Sequence, residues 1–222
     1  MARLSAWLGA VLIAGLCTAP ASAQRVERGG EPGVFDFYVL ALSWSPGFCA
    51  LDGDRDRNRE QCAEGADLRF VVHGLWPQNE RGYPSDCGPA GRSPSRIAME
   101  QAAGLFPSEG LARHQWRKHG TCSGSSPSDY FADVRRARDR VTIPPQFAKA
   151  ERDQDWTALD IERAFVAANP GLRGDMMSVA CRREVLQEVR ICFSRDLRSF
   201  RTCPEIDRSG CRAREITVKA PR

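Results

Sequence analysis

Nine cysteines fall at positions 17, 49, 62, 87, 122, 181, 192, 203 and 211 of this 222-residue chain, and no other feature constrains its fold as strongly. Cys17 lies inside an apolar run, Ala6 to Ala19, with Arg3 before it and Ala21-Ser22-Ala23 after it. A basic start, an apolar stretch and a small-x-small triplet together read as a secretory signal, residues 1–23, cleaved near Ala23. The run is too short to cross a hydrocarbon core of about 30 Å, and no later stretch is apolar for long enough. No membrane anchor is therefore expected, and Leu16 stands where a lipid anchor on Cys17 would need a small residue. Loss of Cys17 with the signal leaves eight cysteines. An even count in an exported chain is the arithmetic of four disulfides. Eight cysteines can pair in roughly a hundred ways, and spacing alone does not choose among them.

Residues 24–222 are of a length that one domain fills. Mean hydropathy is only −0.42 and the aromatics, 8% of residues, are spread along the chain, which excludes disorder. There is no heptad run and no glycine period, so coiled coil and collagen are excluded too. Without Arg3 the chain carries 31 basic against 28 acidic residues. That small excess suits ordinary solubility and equally permits a polyanionic partner.

Val34 to Trp44 is rich in β-branched and aromatic residues and reads as a buried strand. A charged insertion follows, residues 50–67. Leu68, Phe70 and Val72 then alternate with Arg69, Val71 and His73, a second strand that Gly74 and Pro77 are expected to stop. Residues 78–95 read as loop. Helices are expected over 96–106, 109–119 (with Gly120 as C-cap), 128–140 and 158–168, the last capped by Thr157 and ended by Asn169-Pro170-Gly171. Two strands joined by a polar turn are expected at 185–193 and 198–203. Strands and helices are interspersed without a βαβ rhythm, so the fold class is α+β, a mainly antiparallel central sheet flanked by helices.

The three histidines fall in two short segments. His73 ends Phe70-Val71-Val72-His73-Gly74-Leu75-Trp76-Pro77, and the others lie in His114-Gln115-Trp116-Arg117-Lys118-His119-Gly120-Thr121-Cys122. On a helix, His114 and Lys118 stack one turn apart, as do Gln115 and His119 on the adjacent stripe, while Trp116 points toward the core. Imidazole titrates near pH 6.5, so of two rings one serves as base and the other as acid. Such a pair beside a phosphodiester can take a proton from a ribose 2′-OH and return one to the departing 5′-oxygen. A nearby lysine offsets charge on the phosphoryl oxygens. The competing readings are a structural histidine at a strand end, a solvated helix face, and a zinc site at His114, His119 and Cys122. The last lacks His-Glu-x-x-His spacing and would need a thiolate at Cys122. No metal and no cofactor is expected.

Both segments resemble the two active-site signatures of the ribonuclease T2 family, Phe-x-x-His-Gly-Leu-Trp-Pro and His-Glu-Trp-x-Lys-His-Gly-Thr-Cys. The similarity extends to Tyr38–Cys49, to Gly82-Tyr83-Pro84-Ser85-x-Cys87 and to the cysteine pattern of 181–211, nearly all of 34–218. The resemblance implies an acid-type, secreted or periplasmic endoribonuclease. It would cleave single-stranded RNA with low base specificity through a 2′,3′-cyclic phosphate to a 3′-phosphate. It implies no obligatory protein partner and a monomer. His119 would be the base and His73 the acid, His114 would bind phosphate, and Lys118 would stabilise the transition state. Trp76 and Tyr83 would stack on bases, against a plain packing role. The pairs implied are Cys49–Cys62, Cys87–Cys122, Cys181–Cys211 and Cys192–Cys203.

Two positions depart from the family pattern. Gln115 stands where Glu is usual. It keeps shape and hydrogen bonding but removes a charge, which should lower the pKa of His119. The alternative function is therefore a catalytically weakened RNA-binding protein on the same fold. Ser43 stands where many relatives have Gln, which bears on the second base site. Asp52-Gly53-Asp54-Arg55-Asp56 has the alternation of a calcium loop. Arg57 replaces its required glycine and Ala63 its bidentate Glu, so a solvated insertion is the reading.

Overall fold

A computed structural model describes residues 26–53, 59–88 and 93–221. The expected signal with Cys17, and the Asp54–Asp56 part of the calcium-like stretch, lie outside the described residues. In chain order the elements are β1 (Val26–Arg28), β2 (Phe37–Trp44), α1 (Ser45–Asp52), α2 (Arg59–Cys62), β3 (Phe70–Gln78), β4 (Tyr83–Ser85), α3 (Arg96–Ala102), α4 (Glu109–Lys118), α5 (Pro127–Asp139), α6 (Pro145–Ala148), β5 (Gln154–Trp156), α7 (Ala158–Ala168), β6 (Met177–Arg182), β7 (Val185–Ser194), α8 (Pro204–Arg208) and β8 (Ile216–Val218).

The main sheet runs β3-β2-β7-β8-β5, and β6 also pairs with β7. Its β2–β3, β2–β7, β6–β7 and β5–β8 pairs are antiparallel, and only β7–β8 is parallel. β1 and β4 form a separate parallel pair. The α+β, mainly antiparallel reading of the sequence therefore stands. β2 is central, and seven of its eight residues are buried. That is why it reads as one apolar run rather than an alternation. Tyr38, Leu40, Leu42 and Trp44 face the main core with Phe131, Val134, Phe147 and Phe165 from the helices. Phe37 and Val39 face the other side, where Cys192, Cys203 and Ile206 form a smaller cluster against which Trp76 packs.

Local chemistry explains most boundaries. Ser108, Ser126 and Thr157 cap α4, α5 and α7, each accepting a hydrogen bond from a backbone N–H in the first turn. Asn169 ends α7 as expected; its side chain bonds the carbonyls of Thr142 and Phe165. Four expectations need correction. β3 is not stopped by Gly74 or Pro77 and continues to Gln78, because it pairs with β2 and Pro77 withholds no N–H the ladder requires there. The C-terminal hairpin is β6–β7, not 185–193 with 198–203. Its turn uses Arg183 and Glu184 at φ of 50° and 61°, and residues 198–203 keep only the bridge Phe193–Phe200. Gly120 is not a C-cap but starts a 3-10 turn after His119. It is needed for proximity, since a Cβ there would lie 2.4 Å from Trp116. Residues 78–95 are not all loop, since Tyr83–Ser85 forms β4 and pairs with β1.

All four implied disulfides are present. Cys87–Cys122 spans 35 residues and joins the loop after β4 to the turn after α4. The same junction is sewn by Asp86 N–H to the Lys118 carbonyl (2.8 Å) and by Cys87 N–H to Thr121 Oγ1 (3.2 Å). Replacing Cys87 and Cys122 together by Ala is expected to cost about 2–4 kcal/mol in urea unfolding. An unchanged midpoint would show that the hydrogen bonds alone hold the junction.

Candidate active site

The site forms on the face of the sheet away from the main helices. β3 carries one residue more than β2 between the pairs Gly74–Ala41 and Val72–Leu42, and that extra residue is His73. The bulge changes the alternation of the strand. Val72 and Leu75 both face the core, and His73 and Trp76, three apart, both face the site. α4 buries Ala112 and Trp116 in the main core and brings His114, Gln115 and Lys118 to the cleft, and His119 follows at the C-cap position. Tyr83 of β4 closes the side.

These groups line a cleft of about 200 Å³, comprising His73, Trp76, Tyr83, His114, Gln115, Lys118 and His119 with Arg190 of β7. Every catalytic or substrate-binding residue expected from the sequence is thus brought together. The Trp76 ring centre is 5.3 Å from that of His73 and 5.3 Å from that of His119. Tyr83 lies 6.1 Å from the His119 ring. Trp76 Nε1 donates to Gln115 Oε1 at 2.8 Å. Gly74 makes that bond possible, because a Cβ there would sit 2.2 Å from Trp76 Nε1 and 2.4 Å from Gln115 Oε1. Cys122 is in a disulfide, so the alternative zinc set has no thiolate.

The two outer histidines have opposite surroundings. His119 is 5% exposed, and its Nδ1 has no hydrogen-bond partner. Burial first, then the charges of Lys118, His73 and His114, push its pKa down to about 3. His114 is lowered by burial and by Lys118 and Arg117. His73 instead meets a carboxylate, with Nδ1 2.6 Å from Glu188 Oε1. Arg190 Nε donates to the other Glu188 oxygen at 2.7 Å. Burial alone would raise the Glu188 pKa, but the hydrogen bond and charge of His73, with Arg190, take it down to about 2. Glu188 and Arg190 are site residues that sequence reasoning missed. Their only local trace is a charged pair two apart in a largely apolar strand, Val185–Ser194, which does not by itself mark a site.

Two imidazoles and a lysine thus share one cleft on an α+β, disulfide-braced sheet, an arrangement chemically able to move protons beside an anion. Comparison with known proteins agrees. The model of the Ribonuclease T2 family matches residues 35–203, and the chain belongs to that family. It is 47% identical over 133 residues to a ribonuclease of Aeromonas hydrophila, covering 58% of each chain. It is 35% identical over 131 residues to a probable ribonuclease of Haemophilus influenzae, covering 54% of this chain and 47% of that one. The chain thus spans about half the length of these two relatives. Its fold is similar to that of an RNase-related protein from Calystegia sepium (TM-score 0.62, 21% identity, 84% of this chain and 97% of that one). Among the described residues no helix is long and apolar enough to cross a membrane.

His119 and Glu188 give acid sensitivity of the same sign. A histidine whose pKa falls from 6.5 to about 3 on folding leaves the unfolded chain holding more protons between those values. Stability is therefore full above pH 6.5 and lost as pH falls toward 3. Glu188, lowered from 4.5 to about 2, adds stability present above 4.5 and lost as pH falls through 2. Urea unfolding of the wild type should weaken by an order of a few kcal/mol from pH 6.5 to 3. His119→Gln should flatten that slope, and an equally steep variant would place the sensitivity elsewhere.

Proposed function

We propose that the protein is an endoribonuclease that cleaves single-stranded RNA by internal transfer. The observation that carries this reading is the placing of two imidazoles, each 5.3 Å from the Trp76 ring, in a cleft that also holds His114 and Lys118. His119, kept neutral by burial, accepts the proton of the ribose 2′-OH through its Nε2. The 2′-oxygen then bonds to phosphorus and the bond from phosphorus to the 5′-oxygen breaks. His73 gives a proton to that departing oxygen. Lys118 and His114 face the phosphoryl oxygens and stabilise the charge that develops on them. The product ends in a 2′,3′-cyclic phosphate, which water opens to a 3′-phosphate with the two histidines exchanging roles.

The nucleophile belongs to RNA and the acid and base belong to the protein, so the reaction is expected to need no metal. Tyr83 and the part-exposed face of Trp76 offer stacking surfaces, worth about 1–3 kcal/mol per base and tolerant of base identity. A larger cavity of about 790 Å³ opens on the far side of His73, lined by Ser43, Val71, Pro107, Leu111 and Gln187 among others. Its size and its mix of polar and apolar walls support low base specificity. The groups named all lie in one chain, so the proposed site needs no second copy to be complete. The sequence signal at 1–23 supports export to the periplasm or medium.

The test is incubation with a defined RNA in chelator, with mass detection of the cyclic end. A 2′-deoxy substitution at the scissile position should abolish cleavage, and His119→Ala should lose cleavage while keeping RNA binding. Cleavage of the deoxy substrate, or loss of activity in chelator, would sink the reading. Gln115→Glu tests the departure from the family pattern. A carboxylate one turn from His119 favours its charged form, so the acid limb of kcat/KM should move to higher pH. An unchanged profile would show that residue 115 acts only through Trp76.

A further inference from the structure

The mechanism above leaves one buried ionised group without a task. Glu188 is 6% exposed, yet it lies against His73 on one side and Arg190 on the other. Glu188 belongs to β7 and His73 to β3, and β2 runs between them. The carboxylate must therefore cross a strand to reach the ring. It can do so because β2 is small on this face. Ser43 pairs with both Glu188 and Val71, and Ala41 pairs with both Arg190 and Gly74. The bulge brings His73 toward the same gap.

We propose that Glu188 is a positioning residue for His73 and that Arg190 holds Glu188 in place, an inference that rests on the ribonuclease reading above. An ionised carboxylate only accepts, so the ring nitrogen facing it must carry hydrogen. His73 Nδ1–H is thereby committed to Glu188, and Nε2 is turned to the cleft as the atom that exchanges protons with the 5′-oxygen. In its protonated state His73 forms an ion pair with Glu188. Arg190 takes the second carboxylate oxygen through Nε, so Glu188 cannot rotate away. The Arg190 guanidinium also lies 5.6 Å from the Trp76 ring centre, which ties this arrangement to the indole between the two histidines. Among the described residues, the other charged or titratable groups lining the two cavities that His73 borders are Tyr83, His114, Lys118 and His119 in the cleft, and Glu60 of α2 across the larger cavity. None of these has a hydrogen bond to the His73 ring in the structure.

Glu188→Gln separates positioning from bulk. The amide has one oxygen and one NH2. Arg190 Nε–H requires the oxygen, which leaves the NH2 against His73 Nδ1. That nitrogen must then accept, and the ring proton moves to Nε2 in the neutral form. The expected result on a dinucleoside substrate is a fall in kcat of about 10²-fold or more, with KM changed less than threefold. The alkaline limb of the profile should move to lower pH. Nitrogen-15 spectra of the His73 ring give a readout that does not depend on activity. The neutral ring should be protonated on Nδ1 in the wild type and on Nε2 in Glu188→Gln. Arg190→Lys should keep the wild-type tautomer and most of the rate, while Arg190→Leu should keep neither.

A wild-type ring protonated on Nε2 would overturn the proposal without any variant, which guards against a Glu188→Gln chain that does not fold. Wild-type cleavage of RNA together with an unchanged kcat and pH profile in Glu188→Gln would overturn this inference alone. Wild-type protein that leaves RNA intact would overturn the function proposed above and remove the reaction for which His73 is positioned.

Discussion

Where β3 passes Ala41 and Leu42 it carries one residue more than its partner strand, and that residue is His73. In a regular strand His73 and Trp76, an odd number apart, would point to opposite faces. With the bulge, His73 and Trp76 share the site face while Val72 and Leu75 remain fully committed to the core. The strand therefore satisfies the core and the site at once. Its ladder with β2 resumes at Gly74 and continues to Phe37–Gln78, so the irregularity is held firmly on both sides. Tyr130 adds a further fixed point, its buried hydroxyl donating to the Leu75 carbonyl at 2.9 Å.

Two chemically identical side chains, His73 and His119, have opposite surroundings. His119 sits at the end of α4 without a partner on Nδ1, and its burial and the neighbouring cations favour the neutral ring. His73 sits on the sheet against a buried anion that Arg190 keeps in place. The surroundings come from different parts of the fold, the first from α4 and β4, the second from β7. Cys87–Cys122 and the backbone bonds beside it hold the first set together. The β2–β7 pairing sets the second.

How much of this could be read from the sequence follows from how local each cause is. The span and caps of α4 and α7 depend on Ser108 and Thr157, a few residues from what they stabilise, and both helices match their patterns closely. The two histidine segments were legible for the same reason: unusual residues in a fixed local order. β3 was cut short because Gly74 and Pro77 are poor strand residues locally, and only the long pairing with β2 overrides that preference. β6 went unseen because Met177–Arg182 gains its order from β7 across a turn of two left-handed residues, Arg183 and Glu184. Glu188 and Arg190 were invisible as site residues because their partner lies 115 positions away from Glu188 and two strands across the sheet. Alternation on β7 indicated a shared face, but nothing local said what that face meets.

Gln115 shows how structure alters the meaning of a departure from a family pattern. Considered beside His119 alone, it is a missing negative charge. In the fold its Oε1 is already occupied by the Trp76 indole N–H, in a contact so close that only glycine fits at position 74. A neutral acceptor there does the mechanical work of orienting the indole, which in turn lies against both imidazoles. What it cannot do is raise the proton affinity of His119, and burial has already driven that affinity far down. In the proposed reaction such a ring is a weak base, and a weak base would remove a ribose proton slowly unless the transition state were otherwise stabilised. Lys118, adjacent in sequence, contributes to both sides of that balance. Its charge is among the causes that lower the pKa of His119, and in the proposed reaction the same charge, at the cleft, would favour the phosphorane that the base creates.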